Sequence, residues 1–405
     1  MTRGKAVVYR VSIPRYLLGQ ALGSRLPWVF WGAPGPLSLR DLPEPQAPGP
    51  GFATLRPRLS GICGSDVAIV RGKTSPAQSP FHSFPAVLGH EVLADVVDPA
   101  DHPLRGRRVV VDPVVSCFVR GEEPCSACAA GQTQRCERRS SKSGIGPGTL
   151  IGYHARLPGG FSRRMLAHET QLYPVPDAVS DELAVLTEPY SIALHAVLRR
   201  PPKPGEKVLV LGSGAIGLLT LLALRLHGEG AEVHAVARHP HQRRFALTLG
   251  ASRAYGHQGA TVAVQAAVGA ELLRPLLGQP VFSVGFDLVY DCVGSAQSLA
   301  DALRVTRPGG TLVLVGTAGS LTVDWSFVWA SELQLLGTFG YGREAGGEHT
   351  FALALRDLAT PEAAPAAGLI THRYRLEEYR QAMRAHLSAG AERPLKAVFD
   401  LRELD

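Results

Sequence analysis

KVLVLGSGAIGLLTLLALRLHG, residues 207–228, decides the fold of the second half of this chain. Four apolar residues, Val208 to Leu211, run into Gly212, Gly214 and Gly217, and a leucine-rich stretch follows. The short apolar run predicts a buried strand and the longer leucine-rich stretch a helix. Strand, glycine turn and helix in that order turn G-x-G-x-x-G into a dinucleotide-binding fingerprint; without the flanking elements the motif is weak. Gly212 permits the tight turn, Gly214 lets the backbone approach a pyrophosphate, and Gly217 lets helix and strand pack closely. Ala215 and Ile216 open the helix, whose first N–H groups have no partner within it and point at the anion.

Further strands are predicted at EVHAVA (232–237), FDLVYDCVG (286–294) and GGTLVLVG (309–316). Helical patterns, HQRRFALTLGA (241–251) and SLADALRVTRPGG (298–310), lie between them. That alternation reads as a doubly wound parallel α/β sheet. Cys292, inside one apolar run, reads as a buried core thiol. The end of the second strand selects the cofactor, because an acid about 20 residues after the motif would bind the ribose 2′-hydroxyl of NAD. Ala237 stands there instead, followed by Arg238, His239, Arg243 and Arg244. A guanidinium grips a 2′-phosphate with paired hydrogen bonds, whereas a carboxylate repels it. The expectation is NADP(H) in preference to NAD(H), held by Gly212, Gly214, Ala215, Ile216, Gly217, Arg238, His239 and Arg243.

The rest of the composition narrows the setting. A chain of 405 residues exceeds a single core and is long enough for two domains. With 45% apolar and 19% charged residues it should be globular and ordered. No apolar run reaches the roughly 18 residues of a membrane span. Pro14, Arg15 and Arg25 break any signal-peptide pattern. The expectation is a cytoplasmic protein with no membrane partner. The net charge of +7 comes from arginines spread along the chain. No basic tract interleaves with aromatics, so nucleic acid is excluded as a partner.

SCFVRGEEPCSACAAGQTQRC, residues 116–136, holds four of the six cysteines: Cys117, Cys125, Cys128 and Cys136. A reducing compartment argues against disulfides. A redox C-x-x-C needs two thiols only, while a structural zinc takes four as thiolates. Zinc is the favoured reading, ahead of a vestigial lobe and a redox pair.

GICGSD (61–66), LGHE (88–91) and LTEPYSIALHA (186–196) join LPEP (42–45), VVVDP (109–113), GGFS (159–162), RPGG (307–310), LITH (369–372) and KAVFD (396–400). With these motifs in this order, the chain resembles the zinc-dependent medium-chain alcohol dehydrogenases over nearly its whole length. The branch it resembles includes polyol and threonine dehydrogenases. The resemblance implies a Rossmann sheet over 188–340, inserted in a β-rich, GroES-like catalytic domain over 1–187 that resumes over 341–405. It implies hydride transfer between NADP(H) and a small-molecule alcohol or ketone, and a homodimer or homotetramer. It also implies a catalytic zinc held by Cys63 and His90, with Glu91 or Glu188 or both completing the shell. Such a site keeps three protein ligands and an open position, and the metal polarises the alcohol oxygen. Ser65 takes the substrate proton, and Asp66 orients His90 through its other ring nitrogen. Singly, Cys63 reads as a core thiol, His90 as a core histidine, Glu91 as a cap and Glu188 as a helix opener; only their joint order outweighs this.

Two competing functions stay open. A metal-free quinone or enone reductase on the same fold would not need Cys63, His90 and Glu91. A non-catalytic NADPH-binding protein would tolerate their loss.

Three departures stand out. Family members commonly carry a histidine where this chain has Ala68, so a proton would leave through water, His82 or Lys73. The family lobe reads C-x2-C-x2-C-x7-C, and strict counting puts Glu122 in its first position. Cys117 follows the VVVDP strand as the first cysteine usually does, and is the expected ligand with Glu122 as alternative. Finally, SIPRYLLGQALGSRLPWVFWGAP (12–34) is longer than usual, with helical apolar spacing and then Trp28, Phe30 and Trp31. It is expected to be an extra packing or subunit-contact element, with a lid or a membrane-touching helix as alternatives.

Overall fold

A computed structural model of the chain describes residues 3–256, 259–317, 319–387 and 393–402. The chain divides into two compact units: Met1–Glu188 with Tyr341–Ala359 and Ala367–Asp405, and Pro189–Gly340 with Thr360–Ala366. The return expected over 341–405 is thus interrupted by Thr360–Ala366, which carries the fully buried Ala363 and Ala366.

The first unit is β-rich. One sheet runs in the order Ile370–Tyr374, Lys396–Asp400, Phe52–Ile62, Glu91–Asp98, Arg108–Val111, Leu172–Pro174, and Met165–His168 pairs with the far half of Phe52–Ile62. A smaller sheet joins Leu37–Pro43, Arg3–Tyr9 and Ala86–Val87. Helix α1 (Ile13–Leu22) and helix α2 (Gly64–Val70) flank these strands, and α3 (Thr187–Arg199) begins at the unit's edge. The long strand Phe52–Ile62 sets the register that matters: Gly61 lies opposite Glu91 on one side and Val398 on the other. Cys63, Glu91 and Lys396 are therefore carried to one place by three adjacent strands.

The 12–34 segment packs through one side only. Gly19 and Gly23 seat Phe30, whose ring a Cβ at Gly23 would approach to 2.3 Å. Tyr16 lies over Gly72, and Gln20 donates to the Gly72 carbonyl at 3.3 Å. Ile13, Leu17, Leu18 and Leu22 of α1 are exposed. No helix among the described residues is long and apolar enough to cross a membrane.

The second unit is a six-stranded sheet, parallel throughout. Its order is Arg253–Tyr255, Glu232–Val236, Lys207–Leu211, Phe286–Asp291, Thr306–Leu314, Gln334–Gly337. In chain order this is 3-2-1-4-5-6, the doubly wound Rossmann arrangement. Helix α4 (Ala215–His227) follows the first strand and buries Gly217 through Leu224; helix α5 (Pro240–Thr248) follows the second. The helix before RPGG ends at Val305, and Thr306–Gly310 is already strand, a correction to the sequence reading. Pro308, Gly309 and Gly310 are poor helix formers, and Thr306 pairs with Phe286 instead. The strands Arg253–Tyr255 and Gln334–Gly337 escaped prediction because three or four residues at a sheet edge carry little pattern.

Candidate active site and metal centres

Cys63 leaves the strand Phe52–Ile62 and opens α2, where its N–H donates to Asp66 Oδ2 at 3.0 Å. His90 follows Gly89, whose φ of +95° suits glycine alone. A Cβ at Gly89 would also lie 2.5 Å from the Phe161 ring. Cys63 Sγ, a His90 ring nitrogen and a Glu91 carboxylate oxygen all lie within 4.8 Å of one another. Thiol, imidazole and carboxylate are the donors that zinc selects. The buried His90 ring has Nδ1 3.5 Å from Asp66 Oδ1 and Nε2 3.5 Å from Ser65 Oγ. Burial opposes a charge on this ring, but Asp66 and Cys63 together hold its pKa well above the ordinary histidine value. Nδ1 makes no hydrogen bond, and Asp66 Oδ1 is the charged group that faces it.

The two candidate carboxylates differ in their surroundings. Glu91 gives both oxygens to Lys396 Nζ at 2.6 and 2.7 Å, with both side chains buried. Gly61 makes room for it: a Cβ there would lie 1.9 Å from Glu91 Oε2. Glu188, in the first turn of α3, lies outside the three-residue cluster and accepts the Tyr341 hydroxyl at 2.9 Å. Burial pushes Glu188 up to about 7; the His90 ring opposes this and the Glu91 charge adds to it. Burial likewise lifts Asp112, of the VVVDP strand, to about 8, and His349 Nε2 lies 3.4 Å from it.

Ser65 stands beside His90. Its nearest hydroxyl neighbour is Tyr153, whose Oη lies 2.9 Å from Ser65 Oγ and 3.1 Å from Asp66 Oδ1. Of the proton routes considered for Ala68, His82 packs its ring edge-on to Tyr153 at 5.4 Å between centroids, and Lys73 is exposed. Tyr153, Tyr341, Asp112 and Lys396 were not assigned roles from sequence. Lys396 alone left a signal, a lysine in an otherwise apolar strand, which is seldom buried without a partner.

The Cys117, Cys125, Cys128 and Cys136 sulfurs also lie within 4.8 Å of one another, and all four residues are buried. Cys117 and Cys136 Sγ are 3.6 Å apart. A tetrahedron with metal–sulfur bonds of about 2.3 Å has edges of about 3.8 Å, whereas a disulfide is about 2.05 Å. The donor set fits a closed zinc site. Although burial raises the Cys125 pKa, N–H donors led by Glu137 bring it down to about 7, which favours the thiolate. Glu122 is engaged elsewhere, accepting the Ser141 and Ser143 hydroxyls at 3.1 and 2.8 Å.

In the second unit the glycine turn has the shape a dinucleotide needs. Gly212 adopts φ +90°, and a Cβ at Gly217 would lie 1.7 Å from the Gly212 carbonyl oxygen. A Cβ at Gly214, the N-cap of α4, would meet nothing within 4 Å, so the helix N-terminus with Ala215 and Ile216 opens onto free space. Ala237 is buried at the end of the second strand, Arg238 is exposed, and His239 caps α5. Arg243 donates to the carbonyls of Ala237 and Arg238 at 3.3 and 3.2 Å, bracing this turn. Cys292 is partly exposed, contrary to expectation, because it lies past the strand's end at Asp291.

A zinc-binding dehydrogenase family model matches residues 215–359, and an alcohol dehydrogenase GroES-like domain model matches residues 49–177. L-idonate 5-dehydrogenase of Vitis vinifera is 30% identical over 360 residues, covering 87% of this chain and 89% of that protein. A Sinorhizobium meliloti 1021 protein described as a zinc-binding dehydrogenase, bound to NADP, superposes with a TM-score of 0.70 at 25% identity, covering 99% of this chain and all of the other (100%). An Escherichia coli CFT073 protein described as a short chain alcohol dehydrogenase (rspB), in complex with NADH, has the same fold. Its TM-score is 0.70 at 23% identity, with 99% and 100% of the two chains covered.

Proposed function

The chain belongs to the zinc-dependent medium-chain alcohol dehydrogenase family, and on that premise we propose that it oxidises a secondary alcohol of polyol or sugar-like kind with NADP(H), or reduces the corresponding ketone. The observation that carries this is the Cys63 thiol gathered with the buried His90 imidazole, with the Glu91 and Glu188 carboxyls close enough to perturb each other beside them and Asp66 behind the ring. Cys63, His90 and a carboxylate would hold the metal. Lys396 neutralises Glu91, so Glu188, poised near pH 7, is the carboxylate whose charge a metal would draw on. Bound zinc supplies Lewis acidity at the alcohol oxygen, and bound nicotinamide supplies the hydride acceptor. Ser65 Oγ would take the carbinol proton as it releases its own toward solvent water, and Asp66 would hold the proton on His90 Nδ1.

The four-thiol lobe would hold a second, structural zinc. The NADP(H) preference rests on the absence of an acid at Ala237 and the exposed Arg238 beside it. Relatives of this fold occur with either cofactor, NADP in the Sinorhizobium protein and NADH in the Escherichia coli one. The local arginine therefore carries the argument. Arg238→Ala should lower the NADPH/NADH ratio of kcat/KM by about tenfold, the worth of one good charge-assisted contact; an unchanged ratio refutes the assignment. A homo-oligomer, dimer or tetramer, is the assembly proposed.

The deciding experiment is a panel of alcohols and ketones against NADP(H), followed by absorbance on protein of measured zinc content. Turnover of a secondary hydroxyl that disappears with chelator and returns with zinc supports the reading. Reduction of a quinone or enone that survives chelation overturns it.

A further inference from the structure

The outward face of α1 lacks the polar residues that a solvent-facing helix carries. Gly19 and Gly23 turn inward against Phe30, and Tyr16 and Gln20 rest on Gly72. At about 3.6 residues per turn, the side opposite these contacts is formed by Pro14, Leu17, Leu18, Ala21 and Leu22, all of them exposed. Leu17 is 59% exposed, and Ile13 in the first turn 72%. Past the helix, Leu26 and Trp28 are exposed as well. The charge of the segment indicates what covers this face. Arg15 and Arg25 are exposed within it, and Lys73 is exposed next to the Gly72 on which the helix rests. Arg71 lies over the Phe30 ring at 5.9 Å. The sequence holds no Asp or Glu before Asp41. A second copy seated on this face through the same segment would set arginines against arginines, with no carboxylate there to answer them.

We propose that α1 is an interfacial helix that seats the protein on a membrane surface bearing anionic lipid. Its leucines enter the boundary between headgroups and acyl chains, and Arg15, Arg25 and Lys73 meet the lipid phosphates. Trp28 has an amphipathic ring suited to the same depth. Ten residues at about 1.5 Å each make a helix of about 15 Å, half the hydrocarbon thickness, so α1 lies on a bilayer and does not span it. Of the roles open to the 12–34 segment, this is the membrane-touching one, and its charge selects it over a subunit contact. Neither zinc nor nicotinamide takes part, so the proposal is independent of the functional reading above.

The test is flotation of the full-length protein with vesicles. Vesicles of phosphatidylglycerol and phosphatidylcholine in equal parts should carry it up, vesicles of phosphatidylcholine alone should not, and added salt should weaken the binding. Arg15→Gln with Arg25→Gln should lower the affinity about thirtyfold, at about fivefold per charge. Leu17→Gln with Leu18→Gln should lower it at least about tenfold, through the apolar surface no longer buried. All four positions are exposed, so thermal stability and zinc content should not change. Should the leucine pair fail to fold, Leu17→Gln alone decides, at the more exposed of the two. No flotation with the anionic vesicles, or flotation that either pair of variants leaves intact, overturns the proposal. So does a dimer that dissociates in sedimentation velocity on Leu17→Gln with Leu18→Gln, which makes the face a subunit contact. Binding of soluble polyglutamate as tight as that of the vesicles and indifferent to the leucines also overturns it, and marks an acidic protein partner instead. Binding is read without substrate, so its failure leaves the alcohol dehydrogenase reading untouched.

Discussion

Lys396→Met removes one half of the ion pair on which the position of Glu91 depends. Lys396 Nζ lies 2.6 and 2.7 Å from the two Glu91 oxygens, and the side chains are 5% and 1% exposed. Burial disfavours the ammonium, yet Glu91 holds the Lys396 pKa above the ordinary lysine value. Methionine fills nearly the same volume, so little of the loss is a cavity. What remains is a buried carboxylate without its counter-ion, which costs about 3–5 kcal/mol. For a unit of this size each kcal/mol lowers Tm by about 2–4 °C, so a fall of roughly 10 °C is expected. Glu91 has no easy escape, because Gly61 lies so close to Oε2 that even a methyl group would collide. Removing the charge should therefore restore stability: Glu91→Gln in the Lys396→Met background is expected to recover at least half the loss, although Glu91→Gln alone destabilises. Urea unfolding of all four proteins, with zinc content measured in each, completes the cycle. A single-variant loss below about 1 kcal/mol, or a double variant no more stable than Lys396→Met, would refute the buried-pair account.

Three further outcomes follow. Cys117→Ser should release one zinc per chain by atomic absorption, while Glu122→Gln releases none; the reverse pattern shows that the acid is the ligand. Gly217→Ala drives a methyl into the Gly212 carbonyl, which is backbone and cannot swing aside; loss of NADPH binding by fluorescence titration is expected, and wild-type affinity would contradict the turn geometry. Asp181 accepts from Arg58, Arg108 and Arg402 at 2.8–3.2 Å. Burial would raise its pKa, but these arginines hold it below the ordinary value. Its contribution is therefore complete above the unfolded aspartate pKa of about 3.9 and fades as pH falls through the lower folded value. Asp181→Asn should cost about 2 kcal/mol at pH 7, allowing for partly exposed arginines, and less at pH 3; a loss independent of pH would argue against the network.

The residues that the structure gathers into two clusters, Cys63 with His90 and Glu91, and the four lobe cysteines, were singled out in the sequence, and the groups that support them were not, for a physical reason. The lobe cysteines are advertised by their close spacing, and Cys63, His90 and Glu91 by the short motifs GICGSD and LGHE that carry them. Tyr153, Tyr341 and Lys396 act through long-range contacts, 88, 153 and 305 residues from Ser65, Glu188 and Glu91. No local pattern encodes such a distance. The 12–34 segment shows the same limit from the other side. Its periodicity correctly predicts a helix, but which face packs is fixed by Gly72 and Phe30, and the leucines that look like a core stripe are the exposed side.

Why the motifs must occur together becomes clear from their glycines. In the sequence, Gly61, Gly89, Gly159 and Gly160 look like loop punctuation. In the structure each marks a point where one motif touches another. A Cβ on Gly61 of GICGSD would strike Glu91 of LGHE, and one on Gly89 would strike Phe161 of GGFS. One on Gly159 would come within 2.2 Å of the Gly89 carbonyl, and one on Gly160 within 2.4 Å of Ser60 Oγ. The N–H groups of Gly159, Gly160 and Phe161 bond the carbonyls of Val87, Gly89 and Leu88. Three motifs separated by up to a hundred residues thus form one packed knot behind His90, with no spare methyl-sized space. A methyl group added at any of these glycines would press on the segment that carries His90 or on a strand beside it. That is why a single motif says little about function while the ordered set says much: GICGSD and LGHE supply the clustered Cys63, His90 and Glu91, and GGFS supplies the steric complement that packs against them.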